Sequence, residues 1–163
     1  MKNITEPIRY CDTLQEITPE FLRSLEVSCV LIDMDNTLVL YKKEDLVPGA
    51  RDWVEKLRQA GFECLLFTNA RPGRTKKVAQ TLGIPCVAAA GKPWCIAFWK
   101  ASHYLSYPKE KWIVVGDQIF TDVLGANCYG IPCIYVKPAG SAEWGWTRMI
   151  RILERKLLRS KAR

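Results

Sequence analysis

Apolar positions along the chain fall into two patterns. Continuous runs rich in β-branched residues, SCVLIDM (28–34), FECLLFT (62–68) and KWIVVGD (111–117), with the shorter PCVAAA (85–90) and PCIYV (132–136), read as strands buried on both faces. Between them the apolar residues recur at helical spacing over 48–61, 71–83, 93–106 and 119–130. The first of these helices is opened by Pro48 and closed by Gly61. Ahead of the first strand, ITPEFLRSLE offers Thr18 as a helix cap and Pro19 as the first helical residue. Five strands alternating with helices predict an α/β fold, a three-layer Rossmann-like doubly wound sheet that is mostly or wholly parallel.

Length and charge refine this picture. A chain of 163 residues supports one core rather than two. The expected division is an N-terminal lead with a short helix over 1–28, the α/β core over 29–140 and a C-terminal segment over 141–163. The formal charge of +7 is concentrated in that last segment, where seven Lys or Arg face only Glu143 and Glu154. There Trp146, Met149, Ile150, Leu153 and Leu157 follow one helical face, with Arg148, Arg151, Arg155 and Arg159 opposite. A basic amphipathic helix of this kind either packs on its own sheet or lies on an anionic membrane. The same charges could meet RNA or a ribosome, but no RNA-reading motif accompanies them, and no specific nucleic acid partner is expected.

The seven cysteines show no CxxC or zinc-ligand spacing, and most sit in or beside apolar runs. They are expected to be reduced core thiols of a cytoplasmic protein. The N-terminus lacks the apolar stretch of a signal peptide, and no run reaches the roughly 20 residues of a membrane span. Trp53, Trp94, Trp99 and Trp112 are expected to pack in the interior, and His103 to be structural.

In doubly wound sheets, ligands bind beyond the carboxyl ends of the strands. Here those ends carry Asp33 and Asp35; Thr68, Asn69 and Arg71; Lys92; and Asp117, with Asp122 just beyond. Carboxylates suit a hard cation such as Mg²⁺, and a lysine adds fixed positive charge, a combination suited to phosphoryl transfer. No strand end offers a cysteine or serine nucleophile. A carboxylate that becomes an aspartyl-phosphate, with a second as acid and base, is the natural reading. Residues two apart on a strand project to one side, so Asp33 and Asp35 could both face one phosphorus. Arg71 and Arg74, near the start of a helix, are further candidates for contact with an anion.

DMDNT (33–37), Thr68, Lys92 and GDQIFTD (116–122) resemble, in order, the four motifs of the haloacid dehalogenase (HAD)-like hydrolase superfamily. The resemblance implies Asp33 as nucleophile, Asp35 as general acid and base, and Thr68 and Lys92 as phosphate-binding groups. Mg²⁺ would be held by Asp33, the Asp35 main-chain carbonyl and Asp117, with Asp122 in support. Apart from the resemblance, Asn69 and Arg71 beside Thr68 are expected to contact substrate. Only 33 positions separate Asp35 from Thr68 and 24 separate Thr68 from Lys92, leaving no room for a cap domain. Receiver modules of response regulators also combine acids, a hydroxyl and a lysine, but their acidic pair precedes a separate acceptor strand.

DNTL, GKP, GDQIFTDVLGAN and the WxxTRxxRxxE tail are similar to the capless YqeG-type branch, related to mitochondrial phosphatidylglycerophosphate phosphatases. That similarity implies an anionic phospholipid substrate, with release of phosphatidylglycerol and peripheral contact on the inner face of a membrane. The alternatives are a phosphatase of a soluble or protein-linked phosphomonoester, or a non-catalytic basic RNA-binding or ribosome-binding module.

Overall fold

The structure, a computed structural model, describes residues 4–140. In chain order the elements are β1 (Arg9–Cys11), α1 (Pro19–Ser24), β2 (Cys29–Ile32), α2 (Ala50–Gln59), β3 (Glu63–Phe67) and α3 (Pro72–Leu82). They continue with β4 (Cys86–Val87), α4 (Cys95–Ser102), β5 (Trp112–Gly116), a π-helical turn (Ile119–Val123), α5 (Leu124–Tyr129) and β6 (Cys133–Val136). The six strands form one sheet in the order β1-β6-β5-β2-β3-β4, and every pairing is parallel. The doubly wound α/β architecture expected from the apolar pattern is therefore present. The C-terminal segment 141–163, with its expected amphipathic helix, lies outside the described residues.

Alternation along the strands builds two cores. Val30 and Ile32 of β2, Cys64 and Leu66 of β3, and Ile113 and Val115 of β5 face the side covered by α1, α2 and α3. Leu31, Leu65, Phe67 and Val114 face α4 and α5 on the other side. Each fully buried Val, Leu or Ile contributes about 1.5–3 kcal/mol, so the central strands have no face to give to solvent. This is why they read as unbroken apolar runs.

Three details differ from the sequence reading. The sheet has a sixth strand, β1, paired to β6 from Arg9↔Ile134 to Cys11↔Val136. It is three residues long and buries only Cys11, so it has no hydrophobic period to detect. The second helix opens after a left-handed Gly49 (φ 78°), which puts Pro48 before the cap and not at the first helical position. The segment 119–130 is no regular helix at its start, because Val123 N–H donates to Gln118 O five residues back at 3.2 Å.

The tryptophans divide. Trp53 and Trp112 are buried, but Trp94 and Trp99 are 71% and 57% exposed, which corrects the expectation that all four pack inside. The reason lies in α4, where Ala97, Phe98 and Ala101 already fill the face turned to the sheet. Of the seven cysteines, four are buried, Cys86 is half-buried, and Cys95 and Cys128 are exposed; all are free thiols.

Among the described residues there is no cap domain. Between β2 and α2 the chain makes only a small flap, closed by Asn36 N–H to Val39 O (2.7 Å) and Val47 N–H to Leu38 O (2.8 Å). Asn36 takes the left-handed conformation (φ 60°) that its short polar side chain tolerates. Its Oδ1 accepts from Tyr41 N–H, and its carbonyl accepts from Ala139 N–H.

Candidate active site

The chain runs outward from β2 to β3 and β4, then returns to place β5 on the other side of β2. The carboxyl ends of β2 and β5 therefore flank the point where the winding reverses, the usual place for a ligand in such sheets. Asp33 follows β2 and Asp117 follows β5, and both are buried. Thr68 follows β3 and is buried too, its Oγ1 accepting from Ala70 N–H at 3.1 Å.

Lys92 sits between two of the acids. Its Nζ donates to Asp33 Oδ1 at 2.7 Å and to Asp122 Oδ1 at 2.5 Å, with its side chain 1% exposed. The ammonium also lies 5.1 Å from the centre of the Phe67 ring. Burial alone would lower the affinity of Lys92 for its proton; the Asp122 and Asp33 carboxylates outweigh it and hold the ammonium above its ordinary value. For Asp33 the balance goes the other way. Burial pushes its carboxyl up to about 7, and Lys92, shared with Asp122, offsets only part of that rise.

Two local features hold Asp122 in place. The π-helical turn lets Asp122 Oδ2 accept from Gln118 N–H at 3.1 Å while Oδ1 reaches Lys92. Such widened turns recur at functional sites. Gly116 is needed for the same approach, because a Cβ there would overlap the Asp122 carboxylate.

One oxygen from each of Asp33, Asp117 and Asp122 lies within 4.8 Å of the others. Three buried carboxylates around one ammonium carry excess negative charge, and hard oxygen donors at this spacing fit a divalent cation such as Mg²⁺. The donor set thus passes a test of chemistry, with Asp33 and Asp117 as the candidate ligands and Asp122 occupied by Lys92 and Gln118.

Asp35 points elsewhere. Its carboxylate is gripped by both terminal nitrogens of Arg74, at 2.6 and 2.5 Å, and Oδ1 also accepts from Lys42 N–H at 3.2 Å. The same guanidinium donates to Lys43 O at 3.0 Å, tying the flap to α3. The simple expectation that Asp33 and Asp35 both face one phosphorus is not what the structure shows. The strand ends at Ile32, so the two residues lie in a turning chain, where the two-residue period no longer governs direction.

Asn69 has a different role from the substrate contact expected of it. Its Oδ1 accepts from Gly91 N–H (2.9 Å) and Lys92 N–H (2.8 Å), and its Nδ2 donates to Lys92 O (2.9 Å). The amide clasps the loop that carries Lys92 and so positions the lysine. Arg71 is exposed at the start of α3. Arg74 and Gly116 were not singled out by their motifs as partners of Asp35 and Asp122. Only the position of Arg74 in the first turn of a helix beside the site hinted at its part.

Comparison with known proteins bears on the family and the fold. Residues 2–139 match the family model described as mitochondrial PGP phosphatase. The probable phosphatase YqeG of Bacillus subtilis (strain 168) is 34% identical over 158 residues, covering 97% of this chain and 92% of that protein. Among solved structures, a haloacid dehalogenase-like hydrolase from Brucella suis 1330 superposes with a TM-score of 0.54 at 12% identity, covering 80% of this chain and 93% of the other. YfnB from Bacillus subtilis, a structure bound to magnesium, superposes with a TM-score of 0.52 at 18% identity, covering 64% of this chain and 50% of the other. At these identities, the solved structures support the fold.

Proposed function

Since the chain belongs to the mitochondrial PGP phosphatase family and is an HAD-type phosphatase, we propose that it hydrolyses an anionic phospholipid monoester through an aspartyl-phosphate on Asp33, with Mg²⁺ as cofactor. The substrate that best fits the family is phosphatidylglycerophosphate, the product phosphatidylglycerol. The observation that carries the chemistry is the buried group of Asp33, Lys92 and Asp122 with Asp117 beside it, at the point where the sheet reverses its winding.

Lys92 holds Asp33 Oδ1, fixing the carboxylate at the end of β2 for in-line attack on phosphorus. The P–O bond to the substrate alcohol breaks as the Asp33–phosphorus bond forms, and the ammonium of Lys92 offsets charge on the phosphoryl oxygens. When bound, Mg²⁺ would supply further charge neutralisation between Asp33 and Asp117. In this reading the Thr68 hydroxyl at the end of β3 donates to a phosphoryl oxygen. Asp35 protonates the leaving alkoxide, then removes a proton from the water that cleaves the aspartyl-phosphate. Arg74 grips both oxygens of Asp35, so this role requires Asp35 to leave that partner when substrate enters and to carry a proton from solvent to the leaving group.

This assignment predicts a difference between leaving groups. Asp35→Asn should lower kcat/KM, which reports only the steps up to departure of the alcohol, about 10²–10⁴-fold on an alkyl phosphate, whose alkoxide needs a proton. On a nitrophenyl phosphate, whose phenolate leaves unaided, the loss should be at least about ten times smaller. Equal losses on both substrates, measured by phosphate release, would remove Asp35 from the acid role.

The substrate reading is tested by a panel in detergent micelles: phosphatidylglycerophosphate, glycerol 3-phosphate, a nucleoside monophosphate and a nitrophenyl phosphate, each with Mg²⁺ and with EDTA. The expected result is hydrolysis that EDTA removes and Mg²⁺ restores. The lipid should be preferred by at least ~10-fold in kcat/KM, about 1.4 kcal/mol of differential transition-state binding. Turnover of a soluble phosphomonoester with none of the lipid would transfer the assignment to the soluble alternative.

A further inference from the structure

The two exposed tryptophans belong to one element, Trp94 as the residue that caps α4 and Trp99 within it. α4 turns Ala97, Phe98 and Ala101 toward the sheet, which leaves Ile96 and Trp99 on its outer face, 49% and 57% exposed. Trp94, 71% exposed, stands before the helix and only two residues after Lys92. Ile96 reaches the same rim, since a Cβ on Gly91 would lie 3.6 Å from its Cγ2. Exposed apolar groups gathered in this way mark an interaction site rather than random surface.

Charge says what kind of partner fits. From Arg71 to Lys111 the chain carries eight Lys or Arg and a single acid, Glu110; of the eight, Lys92 is buried in the site and Arg74 and Lys77 are paired with Asp35 and Glu44. Arg71 is exposed at the start of α3, which follows the carboxyl end of β3 and so lies on the rim that bears Lys92. The Lys100 ammonium donates to Ala89 O and Ala90 O, both at 3.1 Å, in the loop that leads into Lys92. Protein interfaces are depleted of lysine. Tryptophan and tyrosine among basic side chains instead suit the headgroup layer of an anionic bilayer, where the indole keeps its N–H wet and its ring in an apolar setting.

We propose that Trp94, Ile96 and Trp99, with Lys100 beside them and Arg71 on the same rim as Lys92, form the surface by which this enzyme docks on anionic phospholipid membranes, so that the rim bearing Lys92 faces the headgroups. The inference rests on the reading that the substrate is a lipid phosphomonoester, and adds how that lipid would reach Asp33. Docking through α4 places the scissile phosphate near the mouth of the site without extraction of the acyl chains.

The test uses the full chain and its Trp94→Ser/Trp99→Ser variant. Sedimentation with vesicles of phosphatidylcholine plus phosphatidylglycerol, and of phosphatidylcholine alone, reads docking. Hydrolysis of a nitrophenyl phosphate reads the site. The parent should be retained on the anionic vesicles only, and the variant should lose retention about ten-fold with aryl phosphate turnover kept within about two-fold. If the double variant loses aryl phosphatase activity, Trp99→Ser alone, on the helix face away from the core, repeats the comparison. Equal retention of parent and variant, or no retention of the parent, overturns the proposal. So does light scattering that shows a parent dimer turned to monomer by the substitutions, which would make this face a contact between two copies. The lipid-substrate reading fails separately, by absent hydrolysis of phosphatidylglycerophosphate in detergent micelles, where docking on a bilayer is not required.

Discussion

Asp33→Asn is expected to lower Mg²⁺-dependent hydrolysis by at least ~10⁴-fold, the scale on which removal of a catalytic nucleophile acts, while leaving a folded protein of undiminished stability. The two halves of this expectation come from one feature. Asp33 is buried beside Asp122 and within the field of Asp35, so burial chiefly and these acids in addition push its carboxyl up to about 7. A buried group that resists ionisation is costly to the fold as an anion. The amide of Asn is close in shape, and its oxygen still accepts from Lys92 Nζ, while the uncompensated charge is gone. The sign follows from linkage: a carboxyl whose folded value lies above its unfolded value of about 4 stabilises the fold below that value and loses this contribution as pH rises through about 7. In EDTA the parent should therefore lose stability between about pH 4 and 7 through this group, and the variant should lack that component. Urea unfolding across this range checks it. Retained turnover in Asp33→Asn would end the aspartyl-phosphate mechanism, whatever its stability.

The same residues show why part of the site could be read from the chain and part could not. Asp33, Thr68, Lys92 and Asp117 each follow a strand whose apolar run fixes where it ends, so the parallel sheet gathers them on one rim by construction. The ion pair of Asp35 with Arg74 spans 39 positions and depends on how the flap folds against α3, which no period encodes. Asn69 belongs to the second motif, yet its amide is spent on the backbone around Lys92, a use set by loop conformation rather than residue type. β1 leaves no pattern in the sequence, because an edge strand that buries one side chain carries no alternation. Trp94 and Trp99 misled for a related reason: tryptophan usually signals burial, but here the inward face of α4 was already filled by Phe98 and two alanines. Burial of a helical residue is decided by which face is turned to the sheet, and α4, with few polar residues, leaves that choice open in the sequence.

Lys92→Met should be the most destabilising single change in the site, costing about 3–5 kcal/mol, because it removes the ammonium and leaves its carboxylates buried. Its ion pairs at 2.7 Å to Asp33 and 2.5 Å to Asp122 are closed to solvent, with side chains 1%, 8% and 0% exposed, so water cannot take over the lost charge. The loss should shrink at low pH, where protonation neutralises the abandoned carboxyls, and it should shrink when a second acid is removed. Asp122→Asn placed in the Lys92→Met background is therefore expected to restore stability, although in the parent it breaks the same pair. Such a change of sign is the signature of coupling within one network. Phosphatase activity would not return in the double variant, because the charge that offsets the phosphoryl oxygens is absent; a loss of about 10²–10³-fold in kcat is the scale of one such electrostatic group. Urea unfolding of the parent, both single variants and the double variant decides the point. A Lys92→Met cost below about 1 kcal/mol, the scale of an exposed ion pair, would mean that the lysine is not the keystone of these carboxylates, and the arrangement drawn around it would have to be rebuilt.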